Sequence, residues 1–143
     1  MQVAALGHVV LRVRDQARSE AFYNGLLGIP IAARLPRLKM TFFTLGNHHD
    51  FAITASANGT HAPAGAPGLV HVAFRIDGGV EALRLAKAEL EGVGVAVQAR
   101  EHRVSKSIYL SDPDGNGVEL YVDTDAGWKQ DRALVAHSEP LDL

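Results

Sequence analysis

The 143-residue chain contains no cysteine, so disulfides and thiolate metal sites are excluded and any metal must be held by nitrogen and oxygen. It has few aromatic residues (6%) and little net charge (−2 with histidines neutral), and the latter gives no electrostatic argument for nucleic acid or an anionic membrane. No apolar run approaches the length that spans a bilayer, and the start Met1-Gln2-Val3-Ala4-Ala5-Leu6-Gly7 lacks a basic region followed by a long apolar one. The expectation is a soluble cytoplasmic protein. What remains is ordinary globular composition, 47% hydrophobic and 21% charged, in a chain long enough to bury a core without staples.

Two stretches begin alike. Gly7-His8-Val9-Val10-Leu11-Arg12-Val13 is echoed by Val70-His71-Val72-Ala73-Phe74-Arg75-Ile76, which sets His8 and His71 at the heads of matching strands. The surrounding elements repeat as well. Residues 5–13 read as a strand, Asp15 as an N-cap, and the next helix has Phe22 and Leu26 one turn apart before Gly28 and Pro30 stop it. Strands follow over 31–35, 39–45 and 49–55, parted by Pro36 and the Gly46-Asn47 turn. After a Gly/Pro-rich linker at 56–68, residues 69–77 form a strand and Val80, Leu83, Ala86, Leu90 and Val93 mark one helix face. Gly92 and Gly94 close that helix, and strands follow near 95–99, 105–111 and 117–123. The fold class is α+β: two βαβββ modules at 5–55 and 69–123, followed by a tail at 124–143 that wraps the surface or a partner subunit.

Strand alternation assigns the faces. His8, Val10 and Arg12 oppose Val9, Leu11 and Val13, and His71, Ala73 and Arg75 oppose Val72, Phe74 and Ile76. Glu119 and Tyr121 oppose Val118, Leu120 and Val122, while Ser107, Tyr109 and Ser111 oppose Ile108 and Leu110. Four strands thus agree on a polar-lined surface beneath a helix-backed sheet. Taken singly, a strand histidine is ordinarily a hydrogen-bonded core residue, and a glutamate after the Asp112-Pro113-Asp114-Gly115-Asn116-Gly117 turn is ordinarily a solvated edge charge. Together, His8, His71 and Glu119 form the two-histidine, one-carboxylate set of a facial metal triad with open positions.

On these residues the chain resembles the vicinal oxygen chelate superfamily over residues 5–123. The resemblance implies a cup of sheet around one metal, held by His8, His71 and Glu119. Glyoxalase-like members take a fourth ligand from the last strand of the first module, but Asn47-His48-His49-Asp50-Phe51-Ala52-Ile53 offers no glutamate there. Two details resemble the type I extradiol dioxygenase branch. His48-His49-Asp50-Phe51-Ala52-Ile53 is similar to a double-histidine segment whose second member acts on dioxygen and protons, which makes His49 a candidate catalytic residue. His102, then Ile108-Tyr109, Asp112-Pro113-x-Gly115 and Glu119 resemble the ring-cleavage signature, which adds His102 and Tyr109 beside the substrate oxygens. Arg100 departs from the small or branched residue usual two places before that histidine.

The resemblance implies an Fe(II) enzyme, with Mn(II) a possible substitute, that opens a small aromatic 1,2-diol with dioxygen as a homodimer. Three readings stay beside it: a thiol transferase of the fosfomycin-resistance type, with Lys106, Ser107 and Tyr109 on a phosphonate, a glyoxalase-like isomerase, and a metal-free binding protein. Arg12 and Arg75 lie about 13 Å along their strands from the two ligand histidines and are read as sheet-rim residues. His61 and His137 receive no role.

Overall fold

The computed structural model describes residues 1–56, 58–60 and 66–143. His61 and the middle of the 56–68 linker lie outside the described residues. The chain divides into two compact units, Met1–Pro67 and Gly68–Leu143.

The first unit runs β1 (Val9–Val13), α1 (Gln16–Glu20), β2 (Ile31–Leu35), β3 (Met40–Phe43) and β4 (Phe51–Ala55). Its sheet has the order β1-β4-β3-β2, with β1 parallel to β4 and the other pairs antiparallel. Asp15 caps α1 as expected, its Oδ1 accepting from the Arg18 N–H at 2.8 Å. Beyond Glu20 the helix widens into a π turn over Ala21–Leu26, and the Leu27 N–H donates to the Phe22 carbonyl five residues back. Because the turn is wide, the buried pair is Phe22 and Tyr23, whereas Leu26 is only half-buried. The Tyr23 ring packs 4.7 Å from Phe51 and 6.0 Å from Phe43 and anchors this core. Gly28 ends the helix with φ of 71°, a left-handed conformation that a side chain would strain.

The second unit runs β5 (His71–Arg75), α2 (Gly79–Gly92), β6 (Gln98–Glu101), β7 (Ser105–Ser111), β8 (Gly117–Asp123) and β9 (Glu139–Pro140). The sheet order is β5-β8-β7-β6-β9, with β5 parallel to β8. Leu83 and Leu90 of α2 are buried, and the helix packs on β7 and β8. Val93, expected on that face, is exposed because it sits at the C-cap, past the last helical turn. Each unit is thus a βαβββ module.

The alternation read from sequence holds. Leu11, Val13, Val72, Phe74, Ile108, Leu110, Val118, Leu120 and Val122 are buried, while Val10, Arg12, Ala73 and Arg75 are exposed. Several strands are shorter than expected. β1 starts at Val9 rather than residue 5, since the first rung of its ladder is the Val9 N–H to the Asp50 carbonyl at 3.3 Å. His8 therefore precedes its strand, and His49 lies in the loop before β4 rather than on it. The strand expected at 95–99 is displaced to Gln98–Glu101, because Gly94 turns with φ of 83° and the Val95 N–H returns to the Leu90 carbonyl. The tail carries the least expected element: β9 extends the sheet by pairing with β6. Among the described residues no helix is long and apolar enough to cross a membrane.

Candidate metal and proton-transfer site

In the first unit the turn between β3 and β4 is tied down by Asp50. Its carboxylate accepts from the Leu45 N–H at 2.6 Å and from the Asn47 side-chain amide at 2.5 Å, bonds that hold the acid below its ordinary range. This loop presents His48 and His49 beside His8. Ring nitrogens of the three lie within 4.8 Å of one another, a group able to hold a cation or pass a proton. The His49 ring centre is 4.2 Å from that of His8 and stands edge-on to Phe42 at 5.2 Å. Partial burial, followed by the neighbouring His8 and His48, holds the His49 imidazole below its ordinary pKa.

In the second unit the ladder itself sets the site. Gly117 opposes His71 in the β5–β8 register, and a side chain there would meet the Val70 carbonyl oxygen at 2.2 Å. Only glycine lets the two backbones approach so closely. Two residues on, Glu119 shares the face of His71, and its Oε2 stands 3.0 Å from His71 Nε2. Glu119 is 9% exposed, so the solvated edge charge that its turn suggested is instead a buried carboxylate. Its second oxygen, Oε1, accepts from Ser107 Oγ at 2.5 Å. The turn before it is built by Asp112, which accepts from the Asp114 and Asn116 N–H groups at 2.9 and 2.8 Å.

Tyr109 sits between these groups and His102. Its ring is edge-on to His71 at 5.5 Å, and its hydroxyl is 2.9 Å from His102 Nε2. His102 Nδ1 lies 2.8 Å from the carbonyl oxygen of His137. A carbonyl only accepts, so Nδ1 carries a proton, and Nε2 is the nitrogen that meets the Tyr109 hydroxyl. Burial, reinforced by Glu119, pushes the Tyr109 phenol up to about 12, which keeps it a donor.

The sequence-predicted residues therefore form two groups, His8 and His49 in the first unit, which the structure joins with His48, and His71, Tyr109, His102 and Glu119 in the second. Sequence reasoning missed two partners. Strand alternation sets Ser107 on the polar-lined face without assigning it to Glu119, and its place opposite Tyr121 on the β7–β8 ladder is what brings it to the Glu119 face. His137 had no role, and its contribution is a backbone carbonyl, which no side-chain pattern reveals.

The profile of the Glyoxalase/Bleomycin resistance protein/Dioxygenase superfamily matches residues 5–120. The chain is 31% identical over 135 residues to the catechol-2,3-dioxygenase of Bacillus subtilis (strain 168), covering 89% of this chain and 45% of that protein. It is 30% identical over 125 residues to the 2,2',3-trihydroxybiphenyl dioxygenase of Sphingomonas paucimobilis, covering 82% and 41%. The chain thus spans less than half the length of these curated relatives. Among solved structures, a glyoxalase/dioxygenase from Nostoc punctiforme superposes with a TM-score of 0.72 at 18% identity, over 87% of this chain and 99% of that one. The fosfomycin resistance protein FosX from Listeria monocytogenes gives 0.65 at 21% identity, over 86% and 96%. Such distant likenesses speak for the fold alone. With matching sequence over most of its length and a βαβββ module in each unit, the chain belongs to the glyoxalase, bleomycin resistance protein and dioxygenase superfamily.

Proposed function

We propose that the protein is a metal-dependent extradiol dioxygenase that opens a small aromatic 1,2-diol beside its hydroxyls, with His8, His71 and Glu119 as the metal ligands. The observation that carries this reading is the 3.0 Å approach of His71 Nε2 to Glu119 Oε2. An imidazole nitrogen and a carboxylate oxygen that face each other on one sheet face are donor types that would hold a divalent ion. Ser107 fixes the remaining carboxylate oxygen as an outer partner of a ligand does. Both curated relatives are named dioxygenases of catechol-type compounds, which supports the same reading.

Fe(II) is the proposed ion, with Mn(II) as substitute, since a two-histidine, one-carboxylate set suits either. Such an ion lowers the pKa of the diol hydroxyls that it contacts. The chain's own residues then move protons. His49 accepts one from the substrate, imidazole being the side chain suited to this near neutral pH. Tyr109 would turn its one hydroxyl proton from His102 Nε2 to a substrate oxygen, which frees Nε2 to take up and return a proton while the His137 carbonyl holds Nδ1–H. The fosfomycin-type alternative gains little, since Lys106, its basic group, stands 3.9 Å from the Glu101 carboxylate. A homodimer and a cytoplasmic location belong to the same proposal, and sedimentation tests the first.

The deciding experiment is oxygen uptake after anaerobic loading with Fe(II), against a panel of catechols, with Mn(II) and metal-free protein as controls. Metal-dependent uptake with a ring-opened product is the expected result. Tight metal binding with no uptake on any catechol overturns the reaction, and full metal retention by Glu119→Ala overturns the ligand set.

A further inference from the structure

Within the second unit, a cavity of about 330 Å³ joins the candidate chemistry to the C-terminal segment. Its lining joins the polar His102, Tyr109 and Glu119 with the apolar Val104, Trp128 and Val135. Ser105 and Asp123 complete the lining, so no lysine or arginine faces this space. The volume lies at the lower end of small-molecule pockets, about 300–1,000 Å³, which suits one substituted ring.

The apolar part of the lining is built, not incidental. Trp128 stands on a short 3-10 turn (Gly127–Lys129), and Val135 on another (Arg132–Ala136) capped by Asp131, whose Oδ1 accepts from the Ala133 N–H at 2.9 Å. The segment is pinned at both ends. The Thr124 and Asp125 N–H groups donate to the Val104 carbonyl at 2.9 and 3.2 Å, and at the far end β9 pairs with β6 while the His137 carbonyl holds His102. Yet Trp128 and Val135 remain 41% and 59% exposed. Large apolar side chains held beside reactive polar groups and left open to solvent gain by being covered. The Lys129 amine lies 5.7 Å from the Trp128 ring centre and is not part of the lining.

We infer that Trp128 and Val135 form the substituent wall of the substrate site, so that the protein selects catechols bearing an uncharged apolar substituent and discriminates against those bearing a carboxylate. The inference rests on the dioxygenase reading above. It assigns the tail a specificity role: the segment that leads from the wall into β9 also orients His102, through the His137 carbonyl. With about 0.8 kcal/mol per buried methylene, each added CH₂ on the ring tightens binding about fourfold. A carboxylate placed against an apolar wall beside the Asp123 carboxylate, with no lysine or arginine among the lining residues, loses tenfold or more.

Trp128 is the only tryptophan in the chain, so its fluorescence reports occupancy independently of turnover. The experiment titrates catechol, 4-methylcatechol, 4-ethylcatechol and 3,4-dihydroxybenzoate into anaerobic Fe(II)-loaded protein and follows Trp128 emission, with oxygen uptake measured in parallel. The expected result is quenching by all four, with Kd falling about fourfold per methylene and the dihydroxybenzoate weakest. Val135→Asp, at an exposed position that spares the core and the reporter, should abolish the alkyl preference. Catechol binding indifferent to alkyl length overturns the wall and leaves the dioxygenase reading standing. Tightest binding by 3,4-dihydroxybenzoate, lost in Arg100→Ala, also overturns it and moves the substituent to the separate cavity of about 510 Å³ lined by Gln98, Arg100, Tyr109 and Ser138. If no catechol perturbs Trp128 or consumes oxygen, both readings fall together.

Discussion

The two βαβββ units share a topology and place their chemistry in different ways. In the first, His8 precedes β1 and His48 and His49 ride the loop before β4, so the imidazoles are held by a turn that Asp50 ties together. In the second, His71, Ser107, Tyr109 and Glu119 stand on paired strands, each fixed by ladder register and by a side-chain partner. A loop group can be removed without touching the core beneath it. Removal of a ladder group such as Glu119 leaves its neighbours Ser107 and His71 without that partner. One fold thus supplies an adaptable histidine cluster and a preset histidine–carboxylate pair.

The sharpest break of this comparison is His49→Ala. Turnover should fall about 10²–10⁴-fold with metal content and Tm nearly unchanged, as loss of a proton-transfer group on a loop requires. Steady-state kinetics, metal analysis and a thermal melt on the same sample test it, and wild-type turnover removes His49 from the mechanism. Ser107→Ala probes the ladder side. It frees Glu119 Oε1 and should weaken metal binding about 10–100-fold, measured by competition with a chelator. Unchanged affinity would mean that the Ser107 contact serves packing alone.

Gly117→Ala should couple what His49→Ala keeps apart. The added methyl collides with the Val70 backbone oxygen, so stability should drop by about 1–3 kcal/mol and metal affinity should fall with it, because His71 must shift. Denaturant melts with and without metal separate the two effects, and a drop in one alone breaks the coupling. The smallest effect lies in the first unit. Glu20 accepts two hydrogen bonds from Arg34, at 2.9 and 2.8 Å, and one from Thr41 at 2.5 Å. The Arg34 hydrogen bonds, above the other contributions, hold its carboxyl below the ordinary value of 4.5. A lowered folded-state pKa means stability present above the unfolded value and lost as pH falls through the folded one. Glu20→Gln should therefore cost about 1 kcal/mol near neutral pH, and the difference should vanish as acid protonates Glu20 in the wild type. A pH-independent difference would assign the effect to packing.

Much of this was legible in the residues. The internal repeat, the buried and exposed faces of β1, β5, β7 and β8, the Asp15 cap and the Gly28 stop all follow from local chemistry: alternation on a pleat, an oxygen that satisfies a free N–H, a backbone with no Cβ. The π turn was not legible, because its Leu27-to-Phe22 bond follows no residue-type signal that separates it from an α turn. Nor was β9 legible, since Glu139-Pro140 is two residues long and carries no strand signal until β6 offers an edge.

The sequence by itself determined which residues are capable of chemistry and that they recur in two copies of one plan, because residue type and strand period are local properties. Only the tertiary structure decided that Glu119 is buried against Ser107 rather than solvated at an edge, and that a backbone carbonyl from the tail sets the tautomer of His102. It also decided that Trp128 and Val135 stand beside Tyr109 and Glu119 at one cavity. Those outcomes depend on contacts between segments far apart in the chain, and a contact of that kind exists only once the core has closed and the conformational entropy of the segments has been spent.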